Sequence, residues 1–267
     1  MESGKEFFVK KYESLGWKFS EVKPRQSIRV NTLKISNEAL AKRLQGLGCV
    51  LEKVPFLKNG YSLIRSDFSL GAAIEYLLGY YYIQEAASQK VCELLNPSPG
   101  ELVLDLAAAP GGKTTHLAQL MGNKGVIVAV DMKPPRLIAL KNNIERMGVS
   151  NTIVYNLEGE HCEKLGLVFD KVLLDAPCSG NFTQEDGWFE KRNMEDIRGI
   201  AKTQRDILRA AFRVLKEGGE LVYKSFQRKI EKLEKNKFIS VKKTSGGSEG
   251  NTSIIKYATE TKKLTEF

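Results

Sequence analysis

With 267 residues, 42% of them hydrophobic and 27% charged, the chain has room for one large α/β domain plus a smaller module, and its composition is that of an ordinary globular protein. No apolar run approaches a membrane span, and the opening MESGKEFFVKKYESLGW is charged where a signal peptide needs an apolar core, so a cytoplasmic protein is expected. Cys49, Cys92, Cys162 and Cys178 form no CxxC pair, which argues against a disulfide framework or zinc knuckle, and the formal charge of +9 favours a polyanionic partner.

After a short helical lead, SIRVNTLKIS (27–36) alternates apolar and polar residues as a half-buried strand does. Ser36 or Asn37 can cap the run NEALAKRLQGLG, whose Ala39, Leu40, Leu44 and Leu47 share one helical face; Gly48 ends it, and CVLEKVPF reads as a second strand. Arg25, Arg29, Lys34, Lys42 and Arg43 make this α+β module basic, either as a solvated surface or as a face that tracks phosphates. A second helical stretch is predicted over 70–95, interrupted near Gly79 and carrying Tyr80, Tyr81 and Tyr82. Rings that dense fill a domain junction more often than they stack on bases. The punctuation NPSPG (96–100) follows, and the division expected is an N-terminal module with its linking helix, 1–85, and a larger domain, 86–267.

From residue 100, strands and helices alternate as a parallel, doubly wound sheet requires. Leu102–Leu106 runs into a turn of small residues and then an amphipathic helix, a first βα unit with a ligand expected over the strand's carboxyl end. Pro110, Gly111 and Gly112 bend the chain and let a ligand approach the backbone; Thr114 and Thr115 then open a helix whose free N–H groups can hold an anion. GVIVAVDM is a second strand ending in Asp131, PPRLIALKNNIERMG a helix, TIVYNLEG a third strand and KVLLDAPCSG a fourth. A helix from Met194 to Lys216 leads through Gly218-Gly219 into the fifth strand, ELVYKSF. Asp105, Asp131, Glu158 and Asp175 thus converge on one rim. A carboxylate at Asp131 can accept both hydroxyls of a ribose. Because the loop lacks the GxGxxG of pyrophosphate binders, S-adenosylmethionine suits it better than NAD.

DLAAAPGGKTTHLAQ, followed by VAVD and LLDAPCSG, resembles the Sun/Fmu family of RNA cytosine-5 methyltransferases. SIRVNTLK and YYIQEAASQ resemble segments of the same family, so the likeness covers about residues 25–223. It implies a Rossmann-like class I methyltransferase sheet that binds S-adenosylmethionine, preceded by a small RNA-contacting module, with tRNA or rRNA as substrate, no metal and a monomeric state. It places the cofactor against Ala107, Ala108, Ala109, Pro110, Gly111, Gly112, Lys113, Asp131, Arg136, Glu158 and Asp175, and sets Lys113 and Asp175 against the target base. Glu158 stands where the family usually has Asp, and Ala107 where it often has Cys.

Carbon 5 of cytosine is too weak a nucleophile to take a methyl group directly. A thiolate added to carbon 6 makes the ring enamine-like until elimination restores it, and a carboxyl group at the ring nitrogen stabilises the charge that develops there. Asp175 and Cys178 flank Pro177 at a strand end, which aims both into the crevice. The family carries a second cysteine in a TC motif, but LVYKSFQ stands here where the pattern reads LVYSTCS, so Phe226 occupies the expected nucleophile's position. Three readings follow: a catalytically impaired relative that binds RNA, attack by Cys178 itself, or an altered end of the gene after Tyr223. The Lys-rich tail 228–267 holds FISVKK and SIIKYAT, a possible closing hairpin. The stretch 181–198, with Trp188 and Phe189, either covers the target nucleotide or is pinned to the core by its rings. His116 is assigned to the first helix of the sheet domain and His161 to a surface loop.

Overall fold

The structure is a computed structural model and describes residues 3–14, 25–176, 185–224, 238–243, 253–257 and 261–263. The chain opens with α1 (Lys5–Ser14), β1 (Ser27–Val30), α2 (Asn37–Gly46), β2 (Val50–Lys53) and β3 (Gly60–Arg65). A single 3-10 turn, then α3 (Ile74–Leu77), β4 (Tyr81–Ile83) and α4 (Ala86–Leu95), complete this part. The four strands form an antiparallel sheet in the order β2-β3-β1-β4. Ser36 caps α2 as expected, its hydroxyl accepting from Ala39 N at 3.2 Å. Leu40 and Leu44 of α2 close a small core with Ile28, Val30, Leu70 and Tyr81.

The small module departs from the expected elements in three places. The strand predicted over 27–36 stops at Val30, because buried Asn31 turns the chain and donates its side-chain amide to Gly79 O and Met147 O, both at 2.8 Å. β3, between β2 and β1, is a strand beyond the two expected in this module. The helix predicted over 70–95 is broken by β4, whose tyrosines pair with β1 in the register Val30↔Tyr81 and Arg29↔Tyr82. Aromatic side chains suit a half-buried pleated surface better than a helix here, and Tyr81 is fully buried in the small core. The rings do gather at a junction: the Arg146 guanidinium, from the second half of the chain, lies 4.0 Å over Tyr76 and 5.5 Å over Tyr82.

The larger sheet is built from β5 (Leu102–Leu106), α5 (Gly112–Leu120), β6 (Val126–Asp131), α6 (Pro134–Met147), β7 (Thr152–Asn156) and β8 (Phe169–Asp175). It continues with α7 (Trp188–Lys191), α8 (Met194–Arg213), β9 (Leu215–Lys224), β10 (Phe238–Lys243), β11 (Ser253–Tyr257) and β12 (Thr261–Lys263). Its order is β12-β11-β10-β9-β8-β5-β6-β7; β9, β8, β5, β6 and β7 run parallel, whereas β10, β11 and β12 join antiparallel. This is the Rossmann-like α/β fold read from the alternation.

Both faces of the parallel part are covered, which is why its strands read as continuous apolar runs rather than alternating ones. Leu104, Val128, Val172 and Leu174 pack with Ile207, Ala210 and Ala211 of α8. Val103, Ile127 and Leu173 pack on the other face with Val91 and Leu95 of α4 and Leu117 of α5. Trp188 and Phe189 are buried against α1 in a small cluster of their own, apart from the sheet's core, with Phe8 and Trp188 centroids 5.0 Å apart.

Candidate functional site

β5 lies between β6 and β8, so the sheet is wound in opposite senses on its two sides and a crevice opens at the carboxyl ends of these strands. The register puts Leu106 beside Val130 and beside Leu174, so Asp131 and Asp175 each stand one residue beyond that level, at one rim. The cleft there measures about 470 Å³, a size suited to a nucleoside-like ligand.

Backbone geometry shapes its floor. Ala107 has φ 62°, and Gly111 has φ 104°, a value that demands glycine; a Cβ there would also press on Leu140 Cδ1 at 3.0 Å. The Ala109–Pro110 peptide is cis. α5 starts at Gly112, two residues before the predicted opening, because the threonines turn inward instead of capping. Thr114 donates its hydroxyl to Asp105 at 2.6 Å and Thr115 to Gly111 O at 2.8 Å.

Asp131, 2% exposed, is fixed by backbone: its carboxylate accepts from Ala109 N at 3.2 Å and from Lys133 N at 3.0 Å. The Arg136 guanidinium adds an ion pair at 3.2 Å and also donates to Ala109 O. Asp105 does not reach the rim expected of it. It is fully buried behind the loop, its Oδ1 without a hydrogen-bond partner, and burial raises its pKa to about 7.

Lys113 forms an ion pair with Asp175 Oδ2, and the Lys224 ammonium stands 3.8 Å from Asp175 Oδ1. Burial pulls the pKa of Lys113 down, but the charge and hydrogen bond of Asp175 outweigh it and the net shift is upward. Lys224 also donates to Ser88 Oγ of α4 at 2.8 Å. Behind the loop, Arg29 of β1 is fully buried, with bonds to Gly112 O at 2.6 Å, Thr115 Oγ1 at 2.9 Å and Gln84 Oε1 at 2.9 Å. Lys34 likewise donates to Leu78 O and Arg146 O. Arg29 is therefore no phosphate-tracking surface residue; it ties the small sheet to the first turn of α5.

Of the residues singled out in the sequence, Ala107, Ala109, Pro110, Lys113, Asp131, Arg136 and Asp175 line the cleft together. Ala108 instead enters the core with Leu137 and Leu140, and Gly112 packs against the ring of Tyr82. Glu158 sits between two lining residues, Leu157 and Gly159, with its carboxylate 3.1 Å from His161 Nδ1. His161, isolated in sequence, thus gains an acidic partner. Cys178 and Phe226 lie outside the described residues. Lys224 and the apolar walls Val130, Leu157 and Ile207 also line the cleft, without having been expected there. Lys224 carried a usable signal, a polar residue closing a parallel strand beside Asp175, whereas Ile207 approaches from α8 and carried none.

The donor set fits a nucleoside bearing a vicinal diol: a rigid carboxylate at one strand end, small loop residues, and apolar walls for a flat ring. A family model described as 16S rRNA methyltransferase RsmB/F matches residues 92–242, and one for the N-terminal domain of 16S rRNA methyltransferase RsmF matches residues 2–86. The chain belongs to the RsmB/F family of 16S rRNA methyltransferases. This is the kinship that the AAPGGKT and DAPCSG motifs resemble. Ribosomal RNA small subunit methyltransferase F of Shewanella piezotolerans is 41% identical over 207 residues, 74% of this chain and 44% of that protein. Its counterpart in Vibrio parahaemolyticus is 44% identical over 74% of this chain and 43% of its own length. The chain thus spans less than half the length of these relatives. A solved methyltransferase homolog protein from Pyrococcus horikoshii superposes with a TM-score of 0.69 at 45% identity, covering 76% of this chain and 65% of that one. NSun6 from Pyrococcus horikoshii with SFG does so with 0.71 at 26% identity, over 78% of each chain.

Proposed function

We propose that the chain transfers a methyl group from S-adenosylmethionine to carbon 5 of a cytosine in RNA, with small-subunit rRNA as the substrate class that the relatives' names favour. The observation that carries this reading is Asp131, held by two backbone N–H groups at the mouth of the Ala107–Lys113 loop, across β5 from the Lys113–Asp175 pair. In this reading the protein works in the cytoplasm as a monomer without a metal, residues 1–85 contact the RNA, and 86–267 form the methyltransferase domain.

When bound, the cofactor supplies an electrophilic methyl group on a sulfonium. Asp131 accepts the ribose hydroxyls, while Val130, Leu157 and Ile207 exclude water from the base. Arg136 braces Asp131, and the small residues Ala107 to Gly112 keep the loop thin enough for close approach. The Cys178 thiolate adds to carbon 6 of cytosine. Asp175, taking up a proton, donates it to the ring nitrogen as charge develops there, and Lys113 holds Asp175 in place. With the methyl group on carbon 5, that carbon gives its proton to solvent water, the C–H electrons form the 5,6 double bond, and the thiolate leaves carbon 6 while the ring-nitrogen proton returns to Asp175.

The test is mass spectrometry of ribosomal RNA incubated with the protein and isotope-labelled cofactor, beside Cys178→Ala and Phe226→Cys. Labelled 5-methylcytosine from the unaltered chain, lost in Cys178→Ala, is the expected result. Label appearing only in Phe226→Cys would overturn the role given to Cys178. A blank in every protein, with RNA still retarded in a gel, would overturn the activity.

A further inference from the structure

α8 presents to solvent a face that the chemistry above does not use. Arg198, Lys202, Arg205 and Arg209 follow one another at helical spacing, which gathers them within an arc of about 60° and along about 16 Å of the axis. All four are exposed, and Ile207, which lines the crevice, projects from the opposite side of the helix. The acids of α8 lie to one side or are engaged. Asp206 pairs with Arg209 at 3.4 Å, with both side chains well exposed, and Asp196 closes the capping box at Asn193. Glu195 shares its edge with Arg213, which Glu163 holds at 2.6 Å. Arg198 is engaged by a neighbour, whereas Lys202 and Arg205 have no ion-pair partner among the described residues. Like charges three and four residues apart repel, so the row works against α8 as a free helix.

Two observations tie this face to the crevice. Tyr223, next to the last residue of β9, donates its hydroxyl to Gln204 Oε1 at 3.1 Å, so Gln204 stands level with the strand's carboxyl end and Arg198 and Lys202 project beyond it. That projecting end is held by Met194 and Ile197 against Phe8, Trp188 and Phe189. Beside it a second cleft, of about 450 Å³, is lined by Lys191, Arg192 and Arg198 together with Glu190 and Glu195. The row therefore starts above the rim and runs down the outside of the sheet domain.

We infer that the outer face of α8 is an RNA-backbone surface: Lys202 and Arg205 take phosphates of the strand that flanks the nucleotide held in the crevice. The inference rests on the RNA substrate proposed above and adds a contact outside residues 1–85. Such contacts fix the position of the RNA and read no bases, so the surface sets how long an RNA must be to bind well rather than which cytosine is chosen.

The experiment is filter binding of small-subunit rRNA to the full chain over a series of KCl concentrations, without cofactor. Lys202→Gln with Arg205→Gln is expected to lower affinity about five- to tenfold and to reduce the salt slope by about 1.5, since each phosphate contact contributes about 0.7–0.9. Lys202→Arg with Arg205→Lys should keep both values. Lys124→Gln with Lys141→Gln removes the same charge from exposed sites elsewhere and should leave the slope nearly intact. An unchanged slope in the α8 double variant overturns the inference, as does an equal loss in the Lys124 and Lys141 variant, which would assign the effect to overall charge. Both altered side chains are exposed, and a urea midpoint equal to that of the unaltered chain confirms that the comparison is between folded proteins. Because binding is read without methyl transfer, a blank in the labelling assay leaves the inference standing, whereas failure of the unaltered chain to bind RNA overturns it together with the proposed substrate.

Discussion

Arg29 and Lys113 are both cations drawn out of water at the first turn of α5, and they are kept charged by different means. Arg29 reaches three neutral oxygens, and burial lowers its pKa to about 10, which still leaves it a cation at neutral pH. Lys113 meets a carboxylate, Asp175, and its pKa rises in spite of burial. A guanidinium spread over fixed carbonyl, hydroxyl and amide oxygens can only hold them; it has no partner whose charge can change. An ammonium paired with a carboxylate that also faces a cleft can exchange that pairing for a ligand. One side of α5 is architecture and the other is chemistry.

The largest effect expected from breaking this contrast lies on the architectural side. Arg29→Met would strand Gly112 O, Thr115 Oγ1 and Gln84 Oε1 in a dry seam and cost about 3 kcal/mol or more of stability. Arg29→Lys should recover only part, because one ammonium cannot span three acceptors. Urea denaturation measures both, and a loss below about 1 kcal/mol for Arg29→Met would mean that the seam does not depend on the charge.

Asp105 sharpens the comparison through pH. Its folded pKa of about 7 lies above the ordinary 3.8, so the folded state binds the proton more tightly than the unfolded chain does. The unaltered protein therefore loses stability from this group as pH rises from about 4 through 7, a loss complete above that window and of order 4 kcal/mol at most. Asp105→Asn has no such slope, and its side-chain carbonyl can still accept from Thr114. Its stability relative to the unaltered protein should climb between pH 5 and pH 8, and parallel pH profiles would refute the burial argument.

On the chemical side, Asp175→Asn removes the charge that holds Lys113 up. Methyl transfer under the proposed function should fall by about 10²–10³-fold. Stability should change less than in Arg29→Met, since Asp175 is already 26% exposed at the cleft. Turnover and urea midpoints together decide this. A variant that unfolds like Arg29→Met would place Lys113 and Asp175 with the architecture instead.

Much of the chemical side is written locally in the chain. The run LVLDLAAAPGG announces a buried strand and a thin loop, and the acids closing GVIVAVD and KVLLD announce a rim, because strand burial and turn chemistry depend on neighbours in sequence. The architectural side is not written that way. Arg29 reads as a surface cation until residues 84, 112 and 115 converge on it, and Asp105 reads as a rim acid until Thr114 folds back over it. The tyrosine run reads as helix because the strand it pairs with, β1, lies about fifty residues earlier. Lys224 is an intermediate case: its place at a strand end was legible, but its distance from Asp175 depends on the register of two parallel strands.

The smallest effect is expected at Arg136, and it tests whether Asp131 acts through its own fixed geometry. A carboxylate offers about four acceptor positions. Ala109 N, Lys133 N and Arg136 occupy three of them, so a vicinal diol needs the place that Arg136 holds. Arg136 is 47% exposed, and ion pairs in that setting contribute about 1 kcal/mol or less. Arg136→Ala removes that modest support but vacates an acceptor, and the two changes oppose each other. Cofactor affinity measured by calorimetry should shift by about threefold or less, whereas Asp131→Ala should lose about ten- to a hundredfold by deleting the charged acceptor outright. If Arg136→Ala loses as much as Asp131→Ala, the guanidinium touches the ligand directly, and the backbone-held carboxylate is not what sets the site's affinity.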